Sequence, residues 1–141
     1  MNQIDIAVNI AAKAHADQLD KDNNPVILHP LTVGMAGKTE LEKVVGFLHD
    51  VVEDTEYTFD DLKAEGISEE AIQTLKLLTH SKETPYEEYL DRIIASGNQT
   101  AINVKLNDLT HNLQRGRAGG HWEIVRKHEA AYAKISKLKN P

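Results

Sequence analysis

Apolar residues recur at intervals of three and four along most of the chain, the spacing of one face of an α-helix. No segment alternates between apolar and polar residues as a half-buried strand would. The pattern therefore predicts an all-α fold of about six to eight helices, with residues 1–141 forming a single domain. The helical apolar faces lie within 4–14, 41–52, 71–78, 86–93, 101–109 and 122–138.

Capping side chains stand before three of these segments. Thr39, followed by Glu42, has the spacing of a capping box. Ser68 precedes two glutamates and predicts an N-cap with acids in the first turn. Pro85 is expected at a first helical position, and Trp122 is expected to anchor the last helix in the core.

Composition narrows the function classes. The chain has no cysteine, which excludes disulfides, a thiol nucleophile and a cysteine zinc site. Its net charge of −6 disfavours a nucleic-acid binder. No apolar run approaches the ~20 residues of a membrane span, and the N-terminus lacks the apolar stretch of a signal peptide. We expect a cytoplasmic protein without a nucleic-acid or membrane partner, while the oligomeric state stays open.

The segment FLHDVVEDT at 47–55 carries the strongest candidate chemistry. On a helix, His49 lies one turn from Glu53, and Asp50 lies one turn from Asp54. One imidazole and three carboxylates along a narrow strip repel one another unless they are solvated, protonated or neutralised by a cation. Such a set suits a first-row divalent ion. The competing interpretation is a solvated acidic helix end.

Two distant segments add to this candidate. His29 stands between apolar residues and Pro30, where a core histidine would be the ordinary interpretation. Asp108 lies in an otherwise apolar helical segment, and a buried aspartate needs a partner or a metal ion. His111 and Asn112 follow one turn later.

The order of these motifs resembles the HD-domain metal phosphohydrolases. The match is closest to the hydrolase domain of the RelA/SpoT family and its stand-alone small alarmone hydrolases. The chain shares a first segment of the type AHxGQxRKxGxPYxxHP at 14–30, then LHDVVEDT at 48–55, then KLxDxxHN at 105–112. The resemblance implies a hydrolase that removes pyrophosphate from the 3′ position of guanosine tetra- or pentaphosphate.

The resemblance also implies residue roles. One Mn²⁺ per chain would be held by His29, His49, Asp50 and Asp108. Glu53 and Asp54 match the paired catalytic acids. The positions that match substrate-binding residues are Lys21, Asn112, Lys82 and Arg126.

Three positions depart from the family pattern. Asp20 stands where the family has an arginine expected to stack on the base, Val26 replaces an aromatic residue, and Leu109 replaces an arginine. An aspartate cannot stack as a guanidinium does. Two alternatives therefore stay open: an HD phosphohydrolase acting on another nucleotide phosphate, and a non-catalytic module that senses a nucleotide.

Overall fold

The computed structural model describes residues 1–138 and contains nine helical segments and no strand in that range. This confirms the predicted all-α fold class. The helices are α1 Gln3–Ala14, α2 Leu28–Ala36, α3 Glu40–Leu48, α4 Val51–Asp54, α5 Phe59–Ala64, α6 Glu69–Leu78, α7 Tyr86–Ser96, α8 Gln99–Ala118 and α9 Trp122–Ser136.

The count exceeds the prediction for two reasons. The segment predicted as one helix from 41 to 52 is interrupted at His49 and Asp50, so that the four-residue α4 follows α3. The short helices α2 and α5 have too few turns to show a clear apolar period. Asp50 has φ −102° and ψ −3°, which departs from regular helical geometry and turns the chain beside the candidate site.

The caps agree with the sequence in part. Thr39 and Ser68 accept the backbone N–H of Glu42 and Ala71 respectively, as predicted. Glu42 does not complete the capping box, because its Oε1 accepts the N–H of Lys38 rather than that of Thr39.

Two further local predictions are corrected. Pro85 is the N-cap of α7, one residue before the predicted position. Trp122 is 56% exposed, so it does not anchor α9 in the core. The buried residues of that helix are instead Val125, Ala131 and Ile135.

Helices α2 and α3 cross closely because glycines stand at the crossing. A Cβ on Gly46 would lie 2.8 Å from the Cα of Gly34, and a Cβ on Gly34 would lie 2.2 Å from Cδ1 of Phe47. Helix α8 packs against both α2 and α3 and buries Ala101, Leu106 and Leu109 in the common core. This three-helix packing fixes the relative positions of the residues that α2, α3 and α8 carry.

Within residues 1–138, no helix combines the length and the hydrophobicity that crossing a bilayer would require.

We predict that Gly46→Ala lowers the free energy of unfolding by about 1–3 kcal/mol, since the added methyl overpacks the α2–α3 crossing. Urea unfolding followed by circular dichroism measures the change. Ala95→Ser, on the exposed face of α7, is the control and should stay within about 0.5 kcal/mol of the parent. Equal stability of the two variants would contradict the role of the crossing.

Candidate active site

Three helices bring the four predicted metal-ligand residues to one place. His29 comes from the first turn of α2, His49 and Asp50 follow α3, and Asp108 lies in the middle of α8. The Nε2 atom of His29 lies 2.9 Å from Oδ1 of Asp108 and 3.2 Å from Nε2 of His49. The Nε2 atom of His49 lies 3.1 Å from Oδ2 of Asp50 and 3.3 Å from Oδ1 of Asp108. Segments 79 residues apart in the chain thus meet within hydrogen-bond distance.

The backbone of α3 orients the His49 ring. Its Nδ1 lies 2.7 Å from the carbonyl oxygen of Gly46, one turn earlier. A carbonyl can only accept, so Nδ1 carries the proton of the neutral ring and the lone pair is on Nε2. In the neutral ring that lone pair faces His29, Asp50 and Asp108, and in the charged ring the same Nε2 atom donates to the carboxylates.

Asp108 is held from two further sides. Its Oδ2 accepts from Nζ of Lys105 at 2.9 Å, and its Oδ1 accepts from Nδ2 of Asn112 at 3.0 Å. Lys105 is itself buried, and its ammonium lies 5.1 Å from the ring centroid of Tyr89 and 5.8 Å from that of Tyr86. The buried lysine gives Asp108 a counter-ion that the sequence motif alone does not reveal.

The buried charges shift one another. Burial alone would raise the pKa of Asp108, but Lys105 and His49 hold that pKa well below its usual range. Burial would lower the pKa of His49, but Asp50 and Asp108 raise it well above its usual range. The site therefore holds carboxylates in their charged form and attracts positive charge.

The histidine–aspartate group has the donors that a metal ion needs. His29, His49 and Asp50 each offer one ligand atom, and these atoms all lie within 4.8 Å of one another. Imidazole nitrogen combined with carboxylate oxygen suits first-row divalent ions. The group could hold a metal ion.

The paired acids on α4 lie beside this group. Glu53 accepts the backbone N–H of His80 on Oε1 at 2.7 Å. Desolvation raises the pKa of Glu53, and desolvation together with the charges of Asp50 and Glu53 raises the pKa of Asp54 to about 6. The α4 segment thus carries two carboxyls that hold protons more tightly than isolated acids do.

Two cavities adjoin the site. One of about 180 Å³ is lined by the histidines, Asp50, Glu53 and Asp108, together with Lys105 and Arg115. A neighbouring cavity of about 290 Å³ lies beyond it, and Asn112, Arg115 and His128 line both. The two cavities therefore adjoin at these three side chains.

The structure separates the four predicted substrate-binding residues. Asn112 lines both cavities, and Lys21 lines the outer one. Lys82 is exposed and borders a shallow depression next to Glu53 and Asp54. Arg126 is exposed, with its Nε 3.4 Å from the carbonyl of Trp122, and it does not line either cavity.

Several cavity residues are not among the predicted site residues. His80 and His128 both line the inner cavity, and Nδ1 of His128 is buried without a partner. Arg115 also lines it and stands beside Gly116 in the sequence. Tyr86 and Tyr89 also line the inner cavity. In the sequence they are only two apolar positions of α7, and no local pattern indicates that they face a cavity.

The departures from the family pattern have a structural explanation. Oδ1 of Asp20 accepts the backbone N–H groups of Asp22 and Asn24 at 2.9 and 3.0 Å, which closes the 20–24 turn. Oδ2 of Asp20 lies 3.6 Å from a guanidinium nitrogen of Arg115. Leu109 is fully buried in the core, where an arginine would have no room for its charge.

Comparison with known proteins gives relatives and a common fold. A GTP pyrophosphokinase of Myxococcus xanthus is 32% identical over 119 residues, which cover 74% of this chain and 16% of the relative. A guanosine-3′,5′-bis(diphosphate) 3′-pyrophosphohydrolase of Haemophilus influenzae is 32% identical over 120 residues, covering 74% of this chain and 17% of the relative. The chain thus spans about one sixth of the length of these curated relatives. No family model matches it.

A solved structure shares the fold. It is described as a metazoan orthologue of SpoT that hydrolyses ppGpp, and it superposes with a TM-score of 0.78 at 21% identity, covering 98% of this chain and 85% of that one. The shared fold places this chain in the class of all-α domains. Within that class, the sequence relatives confirm the predicted recognition of a RelA/SpoT-type domain.

We predict that Asp54→Asn raises the unfolding midpoint at pH 7.5. A carboxyl whose pKa is raised in the folded state loses folding stability as pH rises from its unfolded value near 3.8 to about 6. The neutral amide avoids that loss, so the gain should be nearly constant from pH 7.5 to about 7 and should then shrink as pH falls through about 6 to 4.5. Thermal unfolding across this range measures it.

Glu83→Gln, at an exposed position just before α7, is the control for removing one negative charge. It should show no such pH-dependent gain. A gain for Asp54→Asn that does not vary with pH would contradict the raised pKa.

Proposed function

We propose that this domain hydrolyses guanosine tetra- and pentaphosphate, cleaving pyrophosphate from the ribose 3′ oxygen to yield GDP or GTP. The observation that carries the proposal is the convergence of His29, His49, Asp50 and Asp108 from three helices beside a cavity whose lining includes Lys105 and Arg115. The activity of the enzymes that this chain resembles supplies the substrate class.

We propose His29, His49, Asp50 and Asp108 as the ligands of one divalent ion, with Mn²⁺ as the first candidate. Two imidazole nitrogens and two carboxylates fit such an ion, and the Nδ1–H of His49 is already committed to a backbone carbonyl. When bound, the ion would supply Lewis acidity toward a phosphoryl oxygen and activate a water molecule.

Glu53 and Asp54 are assigned the proton transfers. An acid–base group works best when its pKa lies near the working pH, and the pKa of Asp54 is about 6. The backbone N–H of His80 fixes one oxygen of Glu53 and leaves the other free to orient water.

Phosphate binding falls to the cations of the cavity wall. Lys105 and Arg115 line the inner cavity together with the amide of Asn112, and Lys21 stands at the outer one. Lys82 and Arg126 are exposed, and a phosphate contact by either requires its long side chain to reach over the rim. A polyphosphate needs several such donors.

A panel of nucleotides assayed with Mn²⁺ tests the function, with the metal content measured on the same sample. We expect pyrophosphate release from guanosine tetraphosphate and about one divalent ion per chain. Glu53→Gln should retain the ion and lose on the order of 10²-fold or more in turnover, as loss of an acid–base group does. His49→Ala should lose the ion.

The panel also separates the alternatives. Turnover of a different nucleotide without pyrophosphate release from guanosine tetraphosphate would reject the alarmone assignment. Tight nucleotide binding by a metal-free, inactive protein would identify a sensing module instead.

One observation favours the alternative of a shifted nucleotide specificity. Asp20 places a carboxylate in the wall of the outer cavity, where it neutralises Arg115 and repels phosphate. The Asp20–Arg115 pair is connected to the histidine–aspartate group by hydrogen bonds. Arg115 donates to Oδ1 of Asn112, and Asn112 donates to Asp108.

We predict that Asp20→Asn lowers KM for guanosine tetraphosphate about 3- to 10-fold with little change in kcat. The amide oxygen still accepts the two N–H groups of the turn, while the loss of charge frees Arg115 for phosphate. Asp22→Asn, in the same cavity but paired with His121, is the control and should have the smaller effect. An unchanged KM in Asp20→Asn would remove this residue from substrate selection.

A further inference from the structure

His29 makes a second contact that the metal-ligand assignment does not use. Its Nδ1 lies 2.7 Å from Nδ1 of His111, one turn beyond Asp108 on α8. The two rings are within 10° of parallel, with centroids 5.0 Å apart. A nitrogen–nitrogen distance this short between nearly parallel rings means that their edges share one hydrogen bond.

The shared bond has room for one proton, so the two rings cannot choose their tautomers independently. If Nδ1 of His29 carries the proton, Nε2 of His29 keeps its lone pair. If Nδ1 of His111 carries it, the neutral His29 ring must hold its proton on Nε2. That Nε2 atom then donates to Asp108, 2.9 Å away, and offers no lone pair to a cation.

The surroundings leave His111 able to accept. Its side chain is half-buried and precedes Arg115 by one turn on the same helix. His29 is only 4% exposed, so water does not compete for its Nδ1.

His111 and the carbonyl of Gly46 occupy equivalent positions. Each lies 2.7 Å from the Nδ1 atom of a histidine, His29 or His49, whose Nε2 faces the carboxylates. His111 is not itself placed to bind the same cation, because its Nδ1 is directed at the far edge of the His29 ring.

We propose that His111 is a positioning residue that holds His29 in its Nδ1–H tautomer, so that Nε2 of His29 can bind the divalent ion. The inference rests on the proposed metal site and adds a residue to which no role has been assigned. It also explains how a buried, uncharged histidine keeps one orientation without a backbone acceptor.

Two variants separate this role from simple packing. His111→Asn places an amide oxygen near the position of Nδ1 and should keep Zn²⁺ and Mn²⁺ affinity within about 3-fold of the parent. His111→Leu removes the acceptor and should weaken both ions about 10- to 100-fold, as is typical for the partner of a metal-bound histidine. Isothermal titration with each metal salt measures the affinities without any substrate, and circular dichroism confirms that each variant folds.

The second readout is the tautomer itself. Ring ¹⁵N chemical shifts of the Zn²⁺-loaded parent should show His29 protonated at Nδ1 and metal-bound through Nε2. In metal-free His111→Leu the Nε2–H form should be enriched relative to metal-free His111→Asn. His121→Asn, which alters an exposed pair with Asp22, is the control and should change neither readout.

The outcomes are distinct. Unchanged affinity in His111→Leu, or a Zn²⁺-bound His29 with Nδ1 unprotonated, would overturn the positioning role and leave the metal site standing. A parent protein that binds neither ion would overturn the proposed function as well.

Discussion

One buried carboxylate organises the centre of this molecule. Asp108 contacts His29 and His49 through one oxygen and Lys105 through the other, so it joins α2, the α3–α4 junction and α8. Removing a carboxylate from water is costly unless its partners are well placed, and here both oxygens are bound. The same contacts that make the burial tolerable also create the donor set suited to a cation. Packing and chemistry therefore depend on one side chain.

Two glycines determine how closely α2 and α3 cross beside this carboxylate. Gly34 and Gly46 let α2 and α3 approach closely enough that His29 and His49 face each other. The carbonyl of Gly46 then orients the His49 ring. Gly46 therefore has two roles: it permits the close helix crossing, and its carbonyl determines which ring nitrogen of His49 carries the proton.

The acids on α4 show a different balance. Glu53 and Asp54 stand close to Asp50, and desolvation raises the pKa of both. Carboxyls with raised pKa values lower the folding stability near neutral pH, but those pKa values suit proton transfer. Enzyme active sites commonly combine a loss of stability with such a gain in function. In the outer cavity, Asp20 partly neutralises the positive charge of Arg115.

The all-α class, six of the nine helices within residues 1–138, and the caps at Thr39 and Ser68 follow from the sequence, because apolar period and capping are local properties. The motifs around His29, His49 and Asp108 also indicate residues with shared chemistry, although their roles stay proposals. Only the tertiary structure places Lys105 against Asp108, His111 against His29 and Arg115 between the two cavities. Those contacts depend on the angles at which helices cross and on where α3 is interrupted. No periodicity within a single segment encodes either, since both arise from how distant segments pack together.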